Sequence, residues 1–120
     1  DPKSEPHGWM MTHKNGWSIL HSGDSGPCEE LWNRVKFCKV VVIEMSVPET
    51  VDTHNHHKPS QISKLANDCP DTQFLLTHTY IDIDYKILTT DSPKLPDNVT
   101  IGKDNLSLTL DENGKISNFT

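Results

Sequence analysis

Positive charge is in short supply in this sequence. Eleven Lys and Arg stand against 17 Asp and Glu, for a formal net charge of −6. That disfavours a nucleic-acid binder held by general basicity, because such proteins neutralise phosphates with clustered Lys and Arg. It leaves room for an enzyme that handles a phosphate at one local site. Apolar residues are scarce too, at 33% against a usual level of about 45–50% with Gly counted. A chain of 120 residues so composed builds a thin core, and it is expected to lean on another chain or segment. No apolar run approaches membrane-spanning length and no secretory leader is legible, so no membrane is expected among the partners. The three cysteines, Cys28, Cys38 and Cys69, show no CxxC or CxxH spacing, which argues against a finger-type structural zinc site.

An odd cysteine count without a framework fits reduced thiols and a cytoplasmic location. Against it stand three glycosylation sequons, at Asn98, Asn105 and Asn118, a triplet that also arises by chance in a tail rich in Ser, Thr and Asn. The opening at Asp1-Pro2-Lys3, with no Met, reads as a processed, truncated or trimmed product.

Histidine is plentiful, at seven residues, and it is a residue of metal and acid–base chemistry. Its setting follows from a pass along the chain. Gly8 to Lys14 and Trp17 to His21 read as strands joined by Asn15-Gly16, a strong two-residue hairpin turn. A polar Gly-rich loop, Ser22 to Gly26, leads to Pro27 and a helix with Glu29 and Glu30 early and Leu31, Trp32 and Val35 on one face. Val40 to Met45 is a β-branched run of the buried-strand type. A polar loop over 46–58 carries His54, His56 and His57, and Pro59 to Asn67 reads as a helix. Thr72 to Thr77 is a second buried strand, ending at His78. Further on, Ile81 to Ile87 alternates like a strand, Val99 to Ile101 and Leu106 to Leu110 read as short strands, and Asn113-Gly114 marks a terminal hairpin. The order β-β-α-β-α-β up to His78 predicts an α/β fold with a mixed sheet and flanking helices.

The polar residues of interest fall where those strands end, and layered α/β folds gather ligands beyond the C-terminal ends of strands. Asp24 follows one strand, Glu44 ends the next, His78 ends the third, and His56 lies in the loop between the last two. A carboxylate such as Asp24 can bridge two divalent cations, a pair of which makes hydroxide at neutral pH and clamps the oxygens of a phosphodiester. His78 can supply an imidazole ligand. A His off the metal, such as His56, can protonate a leaving alkoxide when a carboxylate such as Glu44 orients it. Each residue also has a plainer reading. Asp24 is then a turn residue bonding locally, Glu44 an exposed strand end, His56 one member of a solvated His-rich loop, and His78 a strand cap. His54 and His57 are expected to be such loop residues, and the three tryptophans packing residues.

The stretch from Gly16 to Leu31, with Ser22-Gly23-Asp24 and Pro27-Cys28-Glu29, resembles a segment of ribonuclease Z, the tRNA-processing member of the metallo-β-lactamase-fold phosphodiesterases. Glu44-Met45-Ser46-Val47-Pro48 is closer to the class II cyclic-nucleotide phosphodiesterases of the same fold. His56 to Gln61 matches the segment carrying the family's catalytic His, and Leu75 to His78 the strand whose terminal His binds metal. The resemblance implies that residues 1–120 form the C-terminal half of a metallo-β-lactamase-like αββα sandwich, and that Asp24 and His78 are ligands in a site for two zinc ions. Glu44 and His56 are then the acid apparatus, and the activity is phosphodiester hydrolysis, of a tRNA precursor as a nuclease or of a cyclic nucleotide. The hallmark His-x-His-x-Asp-His is absent: His54-Asn55-His56-His57 continues with Lys58-Pro59. A further ligand His expected upstream of Gly8 falls near Pro2, and His7 has the wrong spacing. The implied partner is therefore the N-terminal half of the fold, as a second chain or an unobserved segment, and a homodimer is left open. The rival expectation is a non-catalytic, secreted, glycosylated binding protein with a degenerate version of this fold.

Overall fold

A computed structural model of the chain describes residues 8–23, 26–47, 49, 55–77, 95–102 and 106–119. Among them the element order is β1 (Trp9–Thr12), β2 (Ser18–His21), α1 (Glu29–Val35), β3 (Cys38–Glu44), α2 (Pro59–Asp68), β4 (Gln73–Thr77), β5 (Val99–Ile101), β6 (Leu108–Leu110) and β7 (Ile116–Phe119). The segment over 81–87 expected as a strand lies outside the described residues.

The first five strands form one sheet in the order β1-β2-β3-β4-β5. β1 and β2 are the antiparallel hairpin, with Thr12 opposite Ser18. From β2 onward every pairing is parallel. Each parallel step from β2 to β4 needs a crossover, and α1 and α2 supply them. β6 and β7 pair antiparallel as a separate hairpin, turned by Asn113 and by Gly114 at φ 79°.

Alternation along the strands sends Leu20, Val41, Ile43, Phe74 and Leu76 to one face, where they meet Leu31 and Val35 of α1 and Ile62 and Ala66 of α2 in one cluster. Val41 stands opposite Phe74 and Ile43 opposite Leu76, so the register itself assembles the core. The opposite face carries Ile19, Val42 and Leu75, each half-buried, with Val40, which is buried. No described helix is long and apolar enough to cross a membrane.

Local chemistry explains the helix ends. Cys28 caps α1, its sulfur accepting from the Leu31 N–H at 3.4 Å. α2 starts at Pro59, whose missing N–H costs nothing at a first position. The Glu49 carboxylate accepts from the Ser60 N–H at 2.8 Å and the Ser60 hydroxyl at 2.7 Å, a favourable charge at a helix N-terminus. These bonds fix where the polar loop enters the helix, and so where His56 and His57 stand.

Asn98 closes the sheet beyond β4. Its amide nitrogen donates to the carbonyls of Ala66, Cys69 and Thr72 at 2.9–3.0 Å. A glycan on that nitrogen would replace one of its two hydrogens, so the sequon at Asn98 is built into the fold.

Candidate active site

Because β2, β3 and β4 run parallel, their C-terminal ends open on a single edge of the sheet. His21 ends β2 with Ser22 just beyond it, Glu44 ends β3, and Thr77 ends β4 opposite Glu44. Two of the four site residues read from sequence, Glu44 and His56, are described at this edge. The other two, Asp24 and His78, lie outside the described residues, three positions after β2 and one after β4 in the sequence.

Glu44 is 2% exposed, and a buried carboxylate needs a complete set of donors. One oxygen, Oε1, accepts from the His57 backbone N–H at 2.7 Å and lies 2.8 Å from His57 Nδ1. The other, Oε2, accepts from the Ser46 N–H at 3.1 Å and the Ser46 hydroxyl at 2.6 Å. His56 Nδ1 stands 3.4 Å from the same Oε2, with the side chain 46% exposed. Burial by itself would raise the Glu44 carboxyl; the hydrogen bonds from His57 and Ser46 outweigh it and hold the group below the usual 4.5. Glu44 is thus a buried carboxylate built to stay ionised.

Glu44 therefore has two imidazole partners. His56 is the one expected from sequence. His57, expected to be a solvated loop residue, is instead fully buried. Its Nε2 receives the Trp32 indole N–H at 3.1 Å. The only sequence signal for this was position: His57 directly precedes the residue before a Pro-started helix, where the chain must turn inward. Trp32, expected only to pack, also carries a hydrogen bond into this site.

The turn after β2 is held with equal care. The Ser22 N–H donates to the Val42 carbonyl at 2.8 Å, and the Ser22 hydroxyl accepts from the Glu44 N–H at 3.2 Å. The Gly23 N–H donates to His21 Nδ1 at 2.9 Å, and the His21 ring stacks on Trp9 with centroids 5.3 Å apart. Gly23 itself has φ 58°, a conformation that favours glycine. Gly26 is buried and has no room for a side chain: a methyl group there would fall on the Asn55 carbonyl. Since Asn55 immediately precedes His56, Gly26→Ala should cost about 1–3 kcal/mol in urea unfolding and displace the His56 loop, seen as shifted His56 resonances. Wild-type stability with unmoved resonances would contradict that contact.

Two of the three thiols, Cys38 and Cys69, are poor nucleophiles. Burial and the neighbouring Cys69 push Cys38 up to about 11, and burial followed by Asp68 raises Cys69. Both lie in or against the hydrophobic core.

A site for metal would need more donors than are described here. Among the described residues no group of three or more His, Cys, Asp or Glu is placed to hold a cation. Thr77 Oγ1, one residue before His78, is buried without a partner, the one such side-chain atom among those described. A carboxylate at 24 and an imidazole at 78 are suitable donors, but a zinc ion takes about four.

No protein-family model matches the sequence, and no curated protein matches it. Solved structures do. The chain is similar to the metallo-beta-lactamase fold protein YhfI from Bacillus subtilis, with TM-score 0.53 and 15% identity over 80% of this chain and 44% of that one. It is also similar to a diphosphatase from the PhnP family, with TM-score 0.50 and 12% identity over 74% of this chain and 33% of that one. The chain thus spans less than half the length of either structure. Likeness at this identity shows the fold: a five-stranded mixed sheet with two helices, arranged as in a metallo-β-lactamase-fold protein.

Proposed function

We propose that this chain is part of a metal-dependent phosphoester hydrolase of the metallo-β-lactamase fold, in which Glu44 and His56 deliver the leaving-group proton. The observation that carries it is the Glu44 carboxylate, buried and ionised at the sheet edge, with a half-exposed imidazole 3.4 Å from its Oε2. Such a carboxylate orients an imidazole toward the group it would protonate. Asp24 and His78 would be two of the ligands, since Asp24 comes three residues after β2 and His78 one residue after β4, the strands flanking Glu44. A bound metal pair supplies an activated water and neutralises phosphate charge. The remaining ligands would come from the N-terminal half of the fold. The half-buried apolar face of Ile19, Val42 and Leu75 supports such a second layer, because a sheet with two apolar faces buries both. A phosphodiester, either a tRNA precursor or a cyclic nucleotide, is the substrate class proposed.

Metal content and turnover test this together. The 120-residue chain by itself should hold no stoichiometric zinc pair and leave a chromogenic phosphodiester intact. Joined to a segment carrying His-x-His-x-Asp-His, it should bind two metals and hydrolyse the diester. Two tightly bound zinc ions on the lone chain, with turnover, would overturn the division of ligands. A joined protein loaded with both metals yet inert toward mono- and diesters would overturn the phosphoester reading.

A further inference from the structure

The two adjacent histidines beside Glu44 are not equivalent, and the difference is set from α1. We propose that Trp32 and His57 form a positioning clamp: the indole fixes the tautomer of His57, and His57 fixes Glu44 with one oxygen turned toward His56. The clamp rests on the reading of Glu44 and His56 as the acid pair, but its structural part can be measured without any activity.

The Trp32 indole N–H is a donor and cannot accept. It lies 3.1 Å from His57 Nε2, so Nε2 must be the unprotonated nitrogen. The ring proton then sits on Nδ1, 2.8 Å from Glu44 Oε1. With the backbone N–H of the same residue at 2.7 Å, His57 occupies Oε1 from two directions. Glu44 cannot rotate without breaking both bonds. Its Oε2 is left facing Ser46 and the His56 ring.

The same geometry separates the roles of the pair. Both ring nitrogens of His57 are engaged and the residue is fully buried, so it has no atom to offer a substrate. Among the described residues, His56 meets Glu44 through Nδ1 and its side chain is 46% exposed, which leaves Nε2 as the nitrogen to act. His57 and Trp32 are positioning residues and His56 is the one that can touch the reacting atoms. Trp32 is half-buried on the core-side helix and its ring is tilted 49° to that of His57. The contact is therefore a directed hydrogen bond rather than a stack. It ties α1 to the loop entering α2, and any shift of α1 reaches Glu44 through one imidazole.

The test is nitrogen NMR of the histidine rings at neutral pH, on the 120-residue chain labelled with ¹⁵N-histidine. His57, assigned by its loss in His57→Asn, should be a single Nδ1–H tautomer, with Nε2 at a pyridine-type shift. Trp32→Phe keeps an aromatic ring and removes the donor, so the Nε2 signal should move toward the value of an averaged tautomer pair. If Trp32→Phe does not fold, benzothienylalanine at position 32 removes the N–H at unchanged shape. An Nε2–H tautomer in the unmodified chain would overturn the clamp. So would an unmoved Nε2 signal in a folded donor-less variant. In the protein completed with its remaining ligands, Trp32→Phe should lower kcat about tenfold, the usual scale for orienting partners, with KM unchanged. A drop in kcat/KM carried by KM alone would also overturn it. Failure of the hydrolase reading shows differently, as a completed enzyme without turnover whose His57 tautomer still depends on Trp32.

Discussion

Replacing His56 with Ala should lower phosphoester turnover in the completed enzyme by about 10²–10⁴-fold, the range for loss of a general acid, and leave bound metal unchanged. The asymmetry follows from geometry. Among the described residues His56 meets the interior at Glu44 Oε2, 3.4 Å from Nδ1, and it is 46% exposed. It stands at the C-terminal edge of the sheet, between the end of β3 and the start of α2. Stability should change little, because a half-exposed side chain with one long contact contributes little. Metal analysis and steady-state kinetics on one preparation decide the matter. Metal lost together with activity would make His56 a ligand. Unchanged turnover would remove it from the mechanism. The effect should also be smaller on a diester with a good leaving group, which needs little protonation.

Glu44→Ala should be the most destabilising single change at this site, by about 3–5 kcal/mol, the scale for stripping one partner from a buried charged network. Four donors converge on that carboxylate: the His57 N–H and Nδ1, and the Ser46 N–H and hydroxyl. With the carboxylate gone the two His57 donors are buried and the two Ser46 donors part-buried with nothing to accept them, and each buried unsatisfied group costs about 1–3 kcal/mol. Urea unfolding checks the figure, and a loss below about 1 kcal/mol would mean that water or a loop shift satisfies the donors. Acid sensitivity follows from the same bonds. Glu44 is held below the usual 4.5 in the folded chain, so the unfolded chain takes up the proton first as pH falls. The stabilisation is complete above 4.5 and is lost as pH drops through the lower folded value. Glu44→Gln should therefore flatten the acid limb of a stability–pH profile below 4.5 while leaving its neutral limb parallel to that of the parent chain.

Much of the scaffold was legible along the chain because its signals are local. A β-branched run, a Pro at a helix start and an Asn-Gly pair each constrain neighbouring dihedrals, and they placed β1 to β4 and both helices within a few residues. The boundaries moved for identifiable reasons. β3 begins at Cys38 rather than Val40, because parallel pairing with β2 already engages Cys38 opposite Ser18. α1 begins at Glu29, because Cys28 is its cap. Glu44 stood out as a carboxylate at the end of an apolar strand, and His56 as a candidate partner.

The rest was decided in three dimensions. Composition and order along the chain were enough for an α/β mixed sheet and for a carboxylate and a histidine at one edge, because strand period and turn chemistry act between near neighbours. They left undecided which of three clustered histidines would be buried. That choice depends on contacts between residues far apart in sequence: Gly26 against Asn55, Glu49 on the start of α2, and Trp32 reaching His57 across 25 positions. A hydrogen bond spanning such a separation leaves no periodic trace, since its two ends are brought together only when the parallel sheet has put α1 and α2 side by side on the same face.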